Sequence, residues 1–190
     1  MATRRLILAS ASPRRLELLD QIGIKPDMVS PTHIDETPLK SEHPEKLVLR
    51  LATQKAKACN DDGVVVAADT IVVCGGRILG KPSDDDDARE MLIRLSGRRH
   101  RVITAIAIKD NDKLKTRTVT TQVKFKNLSK QEIDGYIASN EWQDKAGGYA
   151  IQGIAGKFVI RINGSYSNVV GLPLYETANL LTSFGFNLNG

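Results

Sequence analysis

The sequence places one carboxylate where an isolated charge is costly. Asp69, followed by Thr70, interrupts an apolar β-type run from 64 to 73. A buried carboxylate needs a cation, hydrogen bonds or a metal, because burial without them is strongly unfavourable. The alternative is a strand-end aspartate bonded to a turn, but no turn is signalled here. We therefore predict that Asp69 is a general base or a metal ligand, and the residue types alone do not choose between these roles.

A second unusual charge distribution lies near the N-terminus. Ser12 is a candidate N-cap and Pro13 suits the first helical position, so Arg14 and Arg15 fall in the first turn of a predicted helix. Cations oppose the helix dipole there by about 0.3–1 kcal/mol each. The same turn offers free N–H groups to an anion, and arginine binds phosphate in a bidentate manner. A phosphate site and a pair of solvated arginines are equally compatible with this segment alone.

A single lysine follows a predicted hairpin. Lys81 stands between a glycine and a proline, on a stiff loop just after a Gly75-Gly76 turn. A surface lysine is the ordinary interpretation of such a residue. The hairpin favours a functional one, because it would return Lys81 toward Asp69.

A glycine-rich segment covers residues 144–153. Four glycines between 147 and 156 allow close approach of the backbone to a ligand. Gln152 carries both a donor and an acceptor, which base recognition requires. The alternative is a flexible loop, but Tyr149, Ile151 and Ile154 are too apolar for a solvated one. The segment therefore predicts a ligand-binding loop.

Several other residues that could suggest a metal or base site are expected to have structural roles only. Acids favour helix N-termini, the histidines lack zinc spacing, and isolated cysteines outside a framework are reduced, partly buried hydrophobes. A lone tryptophan packs more often than it stacks on a base, although stacking stays open. These residues are the acidic run 84–87, the histidines His33, His43 and His100, the cysteines Cys59 and Cys74, and Trp142.

The elements that must position the candidate residues alternate along the chain. The patterns predict strands at 6–9, 64–68, 71–74, 77–79, 101–109, 116–125 and 158–162. They predict helices at 13–22, from 44, at 84–95, at 129–138 behind a capping box, and at 173–183. In the second helix Leu47, Leu51 and Ala58 should face inward. Hairpins interrupt the βα alternation, so we expect an α/β or α+β fold with a mixed sheet, in one domain or two small lobes.

Charge and hydropathy limit the classes of partner. The net charge is +5 and the pI about 9.2, which permits an anionic substrate as readily as nucleic acid. Aromatic residues make up 5% of the chain, few for a surface that stacks bases, and no basic recognition helix stands out. No segment reaches membrane-spanning length, and the N-terminal apolar run is too short for a signal peptide. We expect a cytoplasmic protein with no membrane partner, for which nucleic acid is a disfavoured ligand.

With these segments in order, the chain resembles the Maf family of nucleotide pyrophosphatases along nearly its whole length. Seven ordered blocks are far more specific than any single motif. They are LASASPRR at 8–15, DE at 35–36, AADT at 67–70, LGKP at 79–82, LSG at 95–97, DKAGGYAIQG at 144–153 and NVVGLP at 168–173.

The resemblance implies a fold, a reaction and a set of site residues. The fold is one domain, residues 1–190, with two lobes around a cleft and a mixed sheet, similar to inosine triphosphate pyrophosphatases. The reaction cleaves the bond between the α and β phosphates with a divalent metal, Mg²⁺ or Mn²⁺. Asp69 takes the position of the family's general base, and Glu36 resembles a second acidic position on the metal side. The residues expected to hold the phosphates are Ser12, Arg14, Arg15, Lys55 and Lys81.

The branch of the family is also implied. Positions that carry Arg, Thr and Gln in the branch acting on dTTP and UTP are Arg14, Thr70 and Gln152 here. The branch acting on 7-methyl-GTP has Gln and Glu at the last two. The alternatives are a 7-methyl-GTP enzyme or a broader pyrophosphatase for modified nucleotides. The alternative from another class is a non-catalytic nucleic-acid-binding or division-regulating protein. The oligomeric state is not implied, and a homodimer is one possibility.

Overall fold

The computed structural model describes residues 4–187. Within that range lie seven strands, six α-helices and two short 3₁₀ turns. The strands are β1 (Leu6–Leu8), β2 (Met28–Val29), β3 (Val64–Cys74), β4 (Arg77–Leu79), β5 (Arg99–Asp110), β6 (Lys113–Phe125) and β7 (Val159–Asn163). The helices are α1 (Pro13–Gln21), α2 (Pro44–Ala58), α3 (Asp85–Leu95), α4 (Lys130–Ala138), α5 (Tyr166–Val170) and α6 (Leu174–Thr182), and the 3₁₀ turns are Ala146–Gly148 and Ile154–Phe158.

The strands form one mixed sheet in the order β2-β1-β3-β5-β6-β7, with β4 paired to β3. β1 runs parallel to β2 and to β3, whereas β4 and β7 pair antiparallel with β3 and β6. The mixed sheet that the sequence predicted is therefore confirmed. None of the helices within residues 4–187 combines the length and the apolar content needed to cross a membrane.

The described chain divides into two compact units that are both discontinuous in sequence. The first comprises residues 4–69, 104–119 and 171–187, and the second comprises Thr70–Ile103 and Thr120–Val170. Strands β3, β5 and β6 each contribute residues to both units. The prediction of a single domain over 1–190 stays a prediction, and its ends, 1–3 and 188–190, lie outside the described residues.

The first unit is built around parallel strands. Every residue of β1 is buried, as is β3 from Val64 to Ala68, because parallel strands covered on both faces are apolar throughout. Helices α1 and α2 pack apolar side chains into the same unit. These are Leu18, Leu19, Leu47, Val48, Leu51, Ala52 and Ala56.

The second unit has an aromatic core. Edge-to-face contacts join neighbouring rings at centroid distances of 4.9–6.1 Å, a range in which aromatic pairs stabilise each other. The rings belong to His100, Phe125, Tyr136, Tyr149 and Phe158. Helix α4 begins with the predicted capping box, in which Ser129 and Glu132 each bond to the other's backbone N–H.

Two sequence predictions about elements were wrong, and a third was confirmed in position but not in its hydrogen bond. The predicted strands 64–68 and 71–74 are one strand, β3, which runs through Asp69 and Thr70. Ala58 is exposed at the end of α2, and Ala56 is buried instead. Ala56 lies four residues after the buried Ala52 and so shares its face of the helix. Ser12 lies at the N-cap of α1, but its hydroxyl makes no capping bond. Its own N–H donates to Ser10 Oγ at 3.3 Å instead.

Candidate active site

The first unit contains Asp69, the last residue of the unit's first segment. The residue is only 7% exposed and lies inside the uninterrupted strand β3. The alternative of a strand-end aspartate bonded to a turn is therefore wrong. A carboxylate buried at this position needs a cation, and it has one, because Lys55 Nζ donates to Asp69 Oδ1 at 2.6 Å.

Lys55 joins Asp69 to a second carboxylate. Its Nζ also lies 2.7 Å from Glu36 Oε1. The Lys55 side chain is 13% exposed, whereas that of Glu36 is 55% exposed. Lys55 comes from the last turn of α2 and Glu36 from the segment before that helix. One largely buried ammonium thus holds one buried and one solvent-facing carboxylate together.

Arg15 extends the charged group toward the start of α1. Its Nε donates to the Gly171 carbonyl at 2.9 Å and its Nη1 to Ser10 Oγ at 2.9 Å. Burial lowers the pKa of the Arg15 guanidinium, and the negative charges of Asp69 and Glu36 act in the opposite direction. Arg15 is therefore anchored by protein partners, whereas the sequence left a phosphate contact and a solvated side chain equally open.

The same environment changes the basicity of Asp69. Burial raises the pKa of its carboxyl above the ordinary value, while Lys55 and Arg15 hold it down. A raised pKa makes a carboxylate a stronger base, provided that it stays ionised at the working pH. Lys55 and Arg15 both favour the ionised form. The first unit therefore contains a buried carboxylate suited to accepting a proton.

The donor set around Lys55 fits a divalent cation of the magnesium type. Two carboxylates already converge on one positive charge, and Mg²⁺ takes one or two carboxylates together with phosphate oxygens and water. Among the side chains of residues 4–187, no group of three or more His, Cys, Asp or Glu residues is arranged to hold a metal. Asp69 and Glu36 could therefore hold such an ion only with further oxygen ligands from a substrate or from water.

The second unit contains Thr70, Lys81 and Gln152. The predicted hairpin is confirmed: Gly75 and Gly76 have φ values of 58° and 77°, and Leu79 lies opposite Val72. Lys81 Nζ lies 3.6 Å from Asp144 Oδ1, but both side chains are mostly exposed, so this ion pair is weak. The predicted approach of Lys81 to Asp69 stays a prediction.

The glycine-rich segment packs on this hairpin. The N–H of Gly147 donates to the Gly80 carbonyl at 2.8 Å. Gly147 has a φ of +72°, and a Cβ there would lie 2.9–3.0 Å from the Val72 side chain. Glycine is required at 147 for both reasons.

The glycine-rich segment is ordered rather than solvated. Tyr149 and Ile151 are buried, as predicted, whereas Ile154 is 40% exposed, contrary to the prediction. Gln152 is exposed beside them, between the two 3₁₀ turns. The second unit thus presents an amide side chain from a segment whose neighbours are packed.

The acidic run 84–87, Trp142 and the two cysteines have the structural roles that the sequence predicted. Asp84 caps α3 by accepting the Asp87 N–H at 2.8 Å, and Trp142 is 6% exposed. Cys59 and Cys74 are free and buried. Sequence reasoning missed Ser10, which it treated only as part of the segment 8–15. Ser10 is buried and accepts a hydrogen bond from Arg15, a contact that the sequence does not reveal.

Comparison with known proteins shows the family. Residues 5–184 match the family described as Maf-like protein, and the chain belongs to that family. It is 58% identical over 185 residues to a protein of Maricaulis maris named dTTP/UTP pyrophosphatase, covering 96% of this chain and 89% of that protein. A protein of the same name from Paramagnetospirillum magneticum is 56% identical over 185 residues, covering 95% and 97%.

A solved structure shares the fold. The structure of a HAM1 protein from Coxiella burnetii covers 95% of this chain and 100% of its own, with a TM-score of 0.53 and 15% identity. At that identity the likeness concerns the fold alone. Together with the mixed sheet, it confirms the fold class that the sequence predicted.

Proposed function

We propose that this protein is a nucleoside triphosphate pyrophosphatase that hydrolyses dTTP and UTP to the monophosphate and pyrophosphate. The observation that carries the proposal is the buried Asp69 carboxyl group, paired with Lys55 and close enough to Arg15 for both cations to favour its ionised form. Relatives more than 50% identical over nearly the whole chain are named for this activity. The cysteines are free, which agrees with a cytoplasmic location.

Cations of the first unit are assigned to the phosphates. Arg14 and Arg15 lie in the first turn of α1, where backbone N–H groups also favour an anion. Lys55 is held by carboxylates, and phosphate oxygens offer the same kind of acceptor to its ammonium. From the second unit we assign Lys81, whose exposed ion pair with Asp144 is easily exchanged for a phosphate contact.

Asp69 is assigned the proton transfer. A water molecule gives its proton to the Asp69 carboxylate as its oxygen bonds to the α-phosphorus. The bond from the α-phosphorus to the α,β-bridging oxygen breaks, and its electron pair leaves with pyrophosphate. Cations positioned before the reaction stabilise the charge that develops on the leaving group. The products are then a nucleoside monophosphate, pyrophosphate and a protonated Asp69, which returns its proton to solvent.

A divalent cation, Mg²⁺ or Mn²⁺, belongs to the proposal. Asp69 and Glu36 would hold it, and when bound it would neutralise phosphate charge. Lys55 would then be available to the phosphates, because its two carboxylate partners would have a competing cation. Asp69 is therefore assigned as base, as metal ligand, or as both in succession.

Gln152 and Thr70 are assigned to the base. Gln152 is exposed on an ordered segment, and its amide matches the mixed donor and acceptor edge of uracil and thymine. Thr70 follows Asp69 in β3 and is half-buried. A glutamate at 152 would instead suit the donor-rich edge of guanine. Gln152 therefore favours dTTP and UTP over 7-methyl-GTP, the alternative substrate. Modified pyrimidine triphosphates keep the same edge and fit this assignment.

Pyrophosphate release from a panel of triphosphates tests the proposal. Purified protein should release pyrophosphate from dTTP and UTP with Mg²⁺ or Mn²⁺, faster than from 7-methyl-GTP. Gel shifts with DNA and RNA over a range of salt concentrations test the non-catalytic alternative. Nucleic-acid binding without pyrophosphate release from any member of the panel would contradict the proposal.

A further inference from the structure

Two side chains hold the segment around Gln152 at both of its ends. The Tyr136 hydroxyl accepts a hydrogen bond from the Ala150 N–H at 3.0 Å. Glu141 Oε2 accepts one from the Ile154 N–H at 2.8 Å. Tyr136 belongs to α4 and Glu141 to the turn that follows it. Gln152 lies midway between the two anchored amides.

The backbone that carries Glu141 is itself fixed. Asn140 adopts a φ of +58°, and Ser139 Oγ accepts the Glu141 N–H at 3.3 Å. Trp142 is buried, and its indole N–H donates to the Ile137 carbonyl at 3.2 Å. The Glu141 carboxylate is thus presented from an anchored turn rather than from a mobile loop.

Gly153 is shaped to receive that carboxylate. A Cβ at 153 would lie 2.1 Å from Glu141 Oε2 and 2.7 Å from its Cδ. A side chain at 153 would therefore displace the carboxylate end of the flexible Glu141 side chain, which lies directly against the residue that follows Gln152.

We infer that Glu141 is a positioning residue for substrate selectivity, which acts by fixing the turn that presents Gln152 to the base. The inference rests on the proposed function, because it assigns Glu141 a part in reading the pyrimidine. A side chain that must discriminate a base edge has to be held within a fraction of an ångström. Tyr136 and Glu141 provide that restraint from outside the glycine-rich segment.

The test compares Glu141→Met, which keeps the length but removes the acceptor, with Glu141→Gln, which keeps an acceptor oxygen. The readout is the ratio of kcat/KM for dTTP to that for 7-methyl-GTP. We expect Glu141→Met to lower this ratio by about 3- to 30-fold, the range for one mispositioned hydrogen bond. Glu141→Gln should stay within about twofold of the wild type, because it still accepts from the Ile154 N–H.

A double-mutant cycle separates positioning from general stability. In a Gln152→Ala background, Glu141→Met should change the ratio less than about twofold, because its effect passes through Gln152. Gly153→Ala reaches the same point without removing Glu141, since the new methyl group displaces the carboxylate. Gly153→Ala should lower the ratio by a similar factor, and it keeps the inference testable if Glu141→Met does not fold. Gly135→Ala is the matched control, because a Cβ at 135 meets nothing within 4 Å.

The outcomes distinguish this inference from the proposed function. A wild-type protein that releases no pyrophosphate from dTTP or UTP would overturn both. Normal wild-type turnover with an unchanged ratio in Glu141→Met and Gly153→Ala would overturn the inference alone. The inference alone would also be overturned if Glu141→Met lowered the ratio by the same factor with Gln152 and with Ala at position 152.

Discussion

Asp69 combines two properties that oppose each other energetically. It is buried, which disfavours its charge, and it accepts a hydrogen bond from the Lys55 ammonium, which favours that charge. Such an arrangement is ill-suited to stability alone, because apolar residues of similar volume pack as well without the desolvation cost. Residues that break this rule are expected at functional sites. The apolar run around Asp69 was enough to predict its burial from the sequence, and its catalytic role stays a prediction.

We predict that Asp69→Asn lowers kcat by about 100- to 10,000-fold, the range for removing a general acid–base group. The amide is nearly isosteric with the carboxylate but accepts no proton at neutral pH. Steady-state pyrophosphate release gives kcat, and circular dichroism with thermal melting checks the fold. Near wild-type turnover in a folded variant would remove Asp69 from the chemistry.

We predict that Gln152→Glu lowers kcat/KM for dTTP and UTP by about 5- to 150-fold, because mispairing one buried polar group costs about 1–3 kcal/mol. A glutamate only accepts hydrogen bonds, so a pyrimidine carbonyl would face a carboxylate. 7-Methyl-GTP should lose less, because guanine carries donors on that edge. The three kcat/KM values are measured on both forms of the protein. Equal losses for all three substrates would show that residue 152 does not read the base.

At the scale of elements, a visible period or a clear turn signal decided what the sequence could predict. α2, α3, β5 and β6 are long enough to show a period, and each was found within a few residues of its bounds. β2 has two residues and α5 has five, too few for either period, and both were missed. The contact between Glu141 and Ile154 was also beyond the sequence, because it spans 13 residues of irregular chain.

The glycine-rich segment leads to a prediction about packing. Gly147→Ala should destabilise the protein by about 2–4 kcal/mol, because a side chain at positive φ and overpacking against Val72 are both unfavourable. Gly135→Ala, inside α4 with open space around it, should instead gain about 0.5–1 kcal/mol. Urea unfolding at neutral pH gives both values. Equal stability of the two variants would contradict the tight contact at 147.

The segment before α2 leads to a prediction about pH. Hydrogen bonds from Arg50 Nε and Nη2, at 2.8 Å each, lower the pKa of Glu42 from 4.5 to about 2. Arg50 also donates to the Thr37 carbonyl at 3.0 Å, so the pair fastens this segment to α2. Because the pKa is depressed in the folded state, the stabilisation is complete above pH 4.5 and is lost as the pH falls toward 2.

Glu42→Gln should therefore lower the free energy of unfolding at pH 7 relative to the wild type. The difference between the two proteins should narrow between pH 4.5 and pH 3, where Glu42 begins to be protonated in the unfolded chain. Urea titrations at pH 7, 4 and 3 measure it. A difference that stays constant or widens toward acid would show that another group sets the effect.

At the scale of the whole molecule, substrate binding should appear as stability. A non-hydrolysable dTTP analogue at 100 times its Kd stabilises the folded state by about 2.7 kcal/mol. For a chain of 190 residues that corresponds to a rise in Tm of about 5–10 °C. The rise should occur with Mg²⁺ and shrink in excess chelator, because Asp69 and Glu36 are proposed to hold the metal. An equal rise with and without metal would contradict that part of the proposal.

The division into two discontinuous units has a consequence for how this protein can change in evolution. The chain passes from one unit to the other after residues 69, 103, 119 and 170. No single cut in the gene yields either unit whole, and no exchange of one DNA segment could transplant one of them into another protein. Asp69 and Thr70 are adjacent codons that fall on opposite sides of the first crossing. Evolution is therefore expected to alter this molecule by point substitution within both units rather than by shuffling them as separate modules.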